Sequence, residues 1–159
     1  MVLDPEILVA RLEPFVGAWR IETSLPEAQP GRATFEWMPG QRFLVERWGF
    51  PPTAPEGVEA VDGGGIPVGI AIIGPDPDGE GFLQHYFDSR GVARVYRMSL
   101  ADGVWKLWRN SPDFSPADFS QRFEGSFNED GLTIECRWEI SHDGERWEHD
   151  FDLTYTKLS

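Results

Sequence analysis

Apolar and polar residues alternate in two different rhythms along this chain. Near its start Ile7, Leu8, Leu12 and Phe15 fall near one face of a helix. Asp4 is suited to capping the first free amides, Pro5 to the first helical position and Glu6 to the helix dipole, with Pro14 as the stop. A short amphipathic helix is predicted there. From Trp19 onward the period is two, broken by Gly, Pro, Asp and Asn, which is the pattern of antiparallel strands joined by tight turns. About ten strands are predicted, near 17–25, 32–38, 41–50, 67–74, 81–88, 92–100, 104–110, 119–127, 132–140 and 146–157.

A two-residue turn sets the register of everything outward from it. A turn at Asp143 and Gly144 sets Ile140 opposite Trp147, Trp138 opposite His149, Cys136 opposite Phe151, Ile134 opposite Leu153 and Leu132 opposite Tyr155. The turn at Asp130 and Gly131 sets Phe127 opposite Ile134, Gly125 opposite Cys136 and Phe123 opposite Trp138. Pro39 and Gly40 set Trp37 opposite Arg42, Phe35 opposite Leu44 and Ala33 opposite Glu46. Asp102 and Gly103 set Leu100 opposite Trp105, Met98 opposite Leu107 and Tyr96 opposite Arg109, with Val92 and Arg94 in the same row. A turn near Ser89, Arg90 and Gly91 adds Leu83, His85 and Phe87 to that row. The opposite row includes Phe82, Gln84, Tyr86, Val95, Arg97 and Trp108. The first row is read as inward because its apolar residues are larger and more numerous; a one-residue bulge reverses such a reading.

Short antiparallel strands leave edges exposed unless the sheet closes, so an all-β fold is expected, an antiparallel up-and-down β-barrel of about ten strands with the helix over one mouth. A β-sandwich carries a similar pattern. A barrel of that size leaves room for a guest, whereas one of about eight strands is nearly filled by its own side chains. Residues 1–159 are read as one domain.

The chain carries 14 basic and 27 acidic side chains, a net charge of −13, and that excess repels phosphate backbones and anionic lipid. Neither nucleic acid nor a membrane is an expected partner. With 40% of residues apolar and seven tryptophans there is ample material for a core. No run approaches the roughly 20 apolar residues of a membrane helix, and Met1–Pro5 lacks the features of a secretion signal, so a cytoplasmic location is the expectation. The single Cys136 excludes an internal disulfide and reads as a small core residue.

Gly17-Ala18-Trp19, directly after a short helix, resembles the Gly-x-Trp signature of the calycins, the group of lipocalins, fatty-acid-binding proteins and nitrobindin-like barrels. The run Tyr86-Phe87-Asp88-Ser89-Arg90-Gly91 and the ending Trp147, Phe151, Leu153 and Tyr155 resemble a bacterial family of such domains. The resemblance implies a ligand-holding barrel in which a basic residue of the last strand, here Lys157, packs over the signature tryptophan. Nitrobindin-like barrels have a fuller glycine-rich opening motif, from which Arg20-Ile21-Glu22 departs, so haem binding is not implied by the resemblance.

Candidate chemistry lies in the polar residues of the inward rows, since burying them is costly without partners. The expected ligand-binding set is Trp37, Glu46, His85, Arg94, Tyr96, Arg109, Phe123, Trp138, His149 and Tyr155, with Gln121, Leu44 and Phe151 beside them. Two enclosed guanidiniums need anions. Glu46 is one source, and the other is the carboxylate or enolate of a small amphipathic ligand held by Arg94, Arg109 and Tyr96. The competing reading has both arginines near a rim, with their heads in water.

His149 interrupts an apolar row, which suits a haem ligand, a proton shuttle or a histidine hydrogen-bonded in the core; His85 has the same status. An isomerase or cyclase would use His85, His149 or Glu46 as acid or base. The same three residues would make a possible metal set, but without ligand-like spacing, and no metal is expected; His142 belongs to a solvated turn. The cofactor is left open. Asp76, Asp78 and Glu80 read as a polar hairpin rather than a calcium loop, and Gly63-Gly64-Gly65 lacks the rest of a phosphate loop. Pro51 to Pro67 and Ser111 to Asp118 are long connections, each read as a lid over the mouth or as mobile. Tyr86, Val95 and Trp108, with Arg97 across from Trp108, would form an outer patch suited to a homodimer.

Overall fold

The Asp4 carboxylate accepts the Glu6 amide at 2.8 Å and opens α1 (Pro5–Ala10) as its composition requires. In this computed structural model, which describes residues 4–26, 28–50, 68–79, 81–109 and 119–159, α1 ends short of Pro14. Pro14 sits instead in a 3₁₀ turn (Glu13–Phe15). Leu8, Val9, Leu12 and Phe15 are buried, whereas Ile7 is exposed.

Ten strands follow: β1 (Gly17–Thr23), β2 (Gly31–Trp37), β3 (Leu44–Gly49), β4 (Val68–Pro75), β5 (Phe82–Asp88), β6 (Ala93–Ala101), β7 (Val104–Arg109), β8 (Ser120–Phe127), β9 (Thr133–Ser141) and β10 (Glu148–Lys157). Each pairs antiparallel with its neighbours in the chain, and β1 pairs with β10, closing the barrel. Closure gives every strand a partner on both sides and leaves no edge. Among the described residues no helix is long and apolar enough to cross a membrane.

The turns decide which residues face inward. At Asp130 and Gly131 the pairing is as predicted, Phe127 with Ile134, Gly125 with Cys136 and Phe123 with Trp138. Asp102 and Gly103 both adopt positive φ, 54° and 74°, as a two-residue hairpin turn requires, and Leu100 meets Trp105 and Met98 meets Leu107. After Trp37 the turn is wider than expected: the Met38 amide donates to the Phe43 carbonyl at 2.9 Å, and Trp37 pairs with Leu44, Phe35 with Glu46 and Ala33 with Trp48. The slip is even, so the inward row survives.

Two other turns reverse predicted rows. The Asp88 amide donates to the Val92 carbonyl at 3.1 Å around Ser89-Arg90-Gly91, with Gly91 at φ 83°, so even-numbered residues meet even-numbered ones. Tyr86 pairs with Arg94, Gln84 with Tyr96 and Phe82 with Met98. Phe82, Gln84 and Tyr86 therefore line the interior, and Leu83, His85 and Phe87 do not. At the last hairpin the Asp143 carboxylate collects the amides of Glu145 and Arg146 at 2.8 and 2.7 Å, which widens the turn. A bulge between His149 and Phe151 then shifts the register: Trp138 meets Phe151, Cys136 meets Leu153 and Ile134 meets Tyr155. Trp147 lies outside, its indole 4.1 Å below the Arg122 guanidinium.

The helix end of the barrel is packed with rings. Phe15 lies 5.2 Å from Phe35, 4.8 Å from Trp105 and 5.3 Å from Phe127 between centroids. The Trp19 indole donates to the Phe15 carbonyl at 2.8 Å, and the Lys157 ammonium sits 5.2 Å over the Trp19 ring, as the calycin resemblance implies. Gly17 has φ 132°, and a Cβ there would overlap the Ser159 carbonyl oxygen. The glycine of the signature is thus required by both conformation and space.

Candidate functional site

Toward the other end of the barrel the inward rows become polar. Tyr96 on β6, Arg109 on β7 and Gln121 on β8 are all buried. The Tyr96 hydroxyl donates to Gln121 Oε1 at 3.0 Å, and Arg109 Nη1 donates to the same oxygen at 3.3 Å. One amide oxygen thus draws a phenol and a guanidinium together. Arg94, two residues from Tyr96 on the same strand face, is half-buried; its guanidinium lies 5.8 Å from the Phe119 ring centre. Its Nε is enclosed and has no hydrogen-bond partner among the described residues.

Aromatic rings pack beside these groups. Trp48 and Tyr86 stack at 5.2 Å, Tyr86 meets Tyr96 edge-on at 6.1 Å, Tyr96 lies 5.6 Å from Trp138 and Trp138 lies 5.0 Å from Phe123. The Tyr86 hydroxyl donates to Asp88 at 2.7 Å, and Asp88 in turn pairs with Arg90 at 2.9 Å. Burial first and the Asp88 hydrogen bond second push the Tyr86 phenol well above its ordinary pKa.

Glu46, on β3, is 4% exposed. It forms no ion pair with either arginine; Tyr155 donates to its Oε1 at 3.4 Å. Burial raises its pKa to about 8, partly opposed by that hydrogen bond, so the carboxyl is mostly neutral at pH 7. Burial likewise pushes the Cys136 thiol up, with the Glu46 charge adding to the effect.

Of the expected set, Glu46, Arg94, Tyr96, Arg109, Phe123, Trp138 and Tyr155 share the interior. Trp37 belongs to the helix end, where its indole donates to Glu13 at 3.0 Å. His85 is exposed on the outer wall, because the odd-length turn before Val92 reverses its strand. His149 is exposed at the β10 bulge, with Nε2 2.8 Å from an Asp152 carboxylate oxygen. Both histidines therefore stand away from the interior and from Glu46, which leaves the alternative of an interior haem ligand at His149 without its side chain in the lumen. Among the described residues no group of three or more His, Cys, Asp or Glu could hold a metal ion.

Sequence reasoning put Gln84 and Tyr86 on the wrong face; of the expected outer patch Tyr86 turns inward, whereas Val95, Arg97 and Trp108 stand on the outer rows of β6 and β7. Arg97 does pair across from Trp108, but its guanidinium reaches Asp76 at 3.8 Å. Trp48 was missed although the alternation from Leu44 through Glu46 leads to it. Residues 51–67 and 111–118, read as possible lids, and with them Gly63-Gly64-Gly65, lie outside the described residues, as does Glu80. Asp76 to Gly79 form a turn, with the Asp78 amide donating to the Asp76 side chain at 2.9 Å.

No protein-family model matches the chain, and no curated protein matches it. Among solved structures it is similar to the crystal structure of Rv2717c from M. tuberculosis, with a TM-score of 0.58 and 12% sequence identity, covering 98% of this chain and 100% of that one. At that identity the likeness shows a shared fold.

Proposed function

We propose that the barrel binds a small, mostly apolar molecule with an anionic group, a carboxylate above all. Its charge meets Arg94 and Arg109 with the Tyr96 hydroxyl nearby, and its body lies among Trp48, Tyr86, Phe123 and Trp138. The observation that carries this reading is Arg94: a guanidinium on an inward row whose Nε is enclosed without a partner among the described residues. Arginine does not escape burial by losing its proton, so an anion that completes its hydrogen bonds is the economical remedy. The calycin resemblance and the barrel fold agree with it. With His85 and His149 on the outer wall, an acid–base reaction in the lumen would rest on Glu46 and Tyr155, and binding requires no such step.

The test compares octanoate with its methyl ester by isothermal titration calorimetry, in the wild-type protein and in Arg94→Met. A charged hydrogen bond is worth about 1.5–3 kcal/mol, so octanoate should lose roughly tenfold or more in affinity beyond any loss suffered by the ester. Equal losses for acid and ester would refute the assignment.

A further inference from the structure

We infer that the lumen contains a second recognition point, the Gln84 carboxamide, which takes a hydroxyl group on the body of the bound anion, so that the preferred ligand is a hydroxylated carboxylate rather than a plain one. This rests on the binding reading above. Gln84 is 4% exposed on an inward row, and its Oε1 is enclosed with no hydrogen-bond partner among the described residues. Buried polar atoms of this kind are uncommon and costly, and here the neighbours do not supply the missing bond. Across the two flanking strands Gln84 faces Ile73 on β4, which has nothing to donate, and Tyr96 on β6. A phenol has one proton, and that of Tyr96 is given to Gln121. Phe82, the next inward residue on β5, is apolar.

The placement relative to the arginine is equally specific. Tyr86 pairs with Arg94, and Gln84 lies two residues from Tyr86 on the same face, toward the helix end. That is one inward layer, about 7 Å along the strand, deeper than the charge site. A ligand whose carboxylate meets Arg94 therefore passes Gln84 with its body. A hydroxyl both donates and accepts, so it satisfies the carboxamide in either orientation about its terminal bond. An alkyl chain leaves the oxygen stranded, and the difference favours the hydroxylated acid.

The experiment titrates octanoate and octanoates hydroxylated at carbon five, six, seven or eight into the wild type and into Gln84→Met by calorimetry. At least one hydroxyoctanoate should bind the wild type roughly tenfold more tightly than octanoate. In Gln84→Met that ratio should fall to within about twofold. Thermal melting without ligand supplies an independent readout, because replacing an unsatisfied buried amide by an apolar side chain of similar shape should leave the melting temperature unchanged or raised. No hydroxyoctanoate better than octanoate, an advantage that survives Gln84→Met, or a melting temperature several degrees lower in the variant would each overturn the inference while leaving anion binding intact. Absence of any binding of these acids to the wild type would overturn both.

Discussion

Glu46 shows how an environment sets the charge of a side chain. Its carboxyl is enclosed in the barrel with one weak donor, Tyr155, and burial holds its pKa near 8. In the unfolded chain the same group titrates near 4.5. The native state therefore keeps a proton that the unfolded state gives up, so this contribution to stability is whole below about pH 4.5 and is lost as pH rises toward about 8. Glu46→Gln removes the titration while keeping a neutral acceptor for Tyr155. Its stability relative to wild type should increase between about pH 5 and pH 9, by an amount on the order of a few kcal/mol, measured as urea midpoints. A gap that does not change with pH would contradict the assignment. Cys136, with its thiol pushed up by burial, should resist iodoacetamide in the native protein and react on unfolding; rapid native labelling would count against its packing. At this scale the sequence was informative about Arg94, Arg109 and Tyr96, whose row follows from the Asp102-Gly103 turn. It misled about His149, since nothing local marks the bulge.

At the scale of elements, the sheet is governed by parity. An even change in loop length slides two strands while keeping their faces, as at Pro39 and Gly40. An odd one exchanges inside and outside, as at Ser89-Arg90-Gly91. The Asp88 side chain stabilises that odd loop by accepting the Arg90 amide at 2.9 Å and the Tyr86 hydroxyl at 2.7 Å. The β3–β4 pair shows a further dependence between neighbours. Gly69 pairs with Trp48, and a Cβ at Gly69 would overlap the indole. Gly69→Val should push Trp48 out of its stack with Tyr86 and cost about 1–3 kcal/mol, read as a lower urea midpoint with altered tryptophan emission. Unchanged stability and emission would show that the indole has another place to rest.

Over the whole molecule, closure and charge dominate. Ten strands joined to their neighbours form a wall without edges, and rings fill its helix end. That 12% identity accompanies a TM-score of 0.58 with Rv2717c shows how little the barrel depends on particular residues. What it needs is alternation, which many sequences supply. The net charge of −13 makes the compact state self-repelling. Raising sodium chloride from about 20 mM to about 200 mM shortens the screening length severalfold and should raise the melting temperature by a few degrees, measured by scanning fluorimetry. A flat or falling response would mean that local ion pairs such as Arg122 with Glu139, at 3.0 Å, outweigh the general repulsion.

The sequence by itself determined the number of strands and the helix that precedes them, because period-two alternation and turn residues are local properties; that the sheet closes on itself instead of splitting into a sandwich was decided by the pairing of β1 with β10. Local pattern also set the register of β6 on β7 through a two-residue turn, and the larger apolar residues of one row pointed to its inward face. Only the tertiary structure decided the faces of β5 and of the start of β10. Those depend on whether a turn or bulge holds one residue more or fewer, a choice made by hydrogen bonds from Asp88 and Asp143 and by pairing with strands already in place. A single residue of difference put two histidines outside and Gln84 and Tyr86 within.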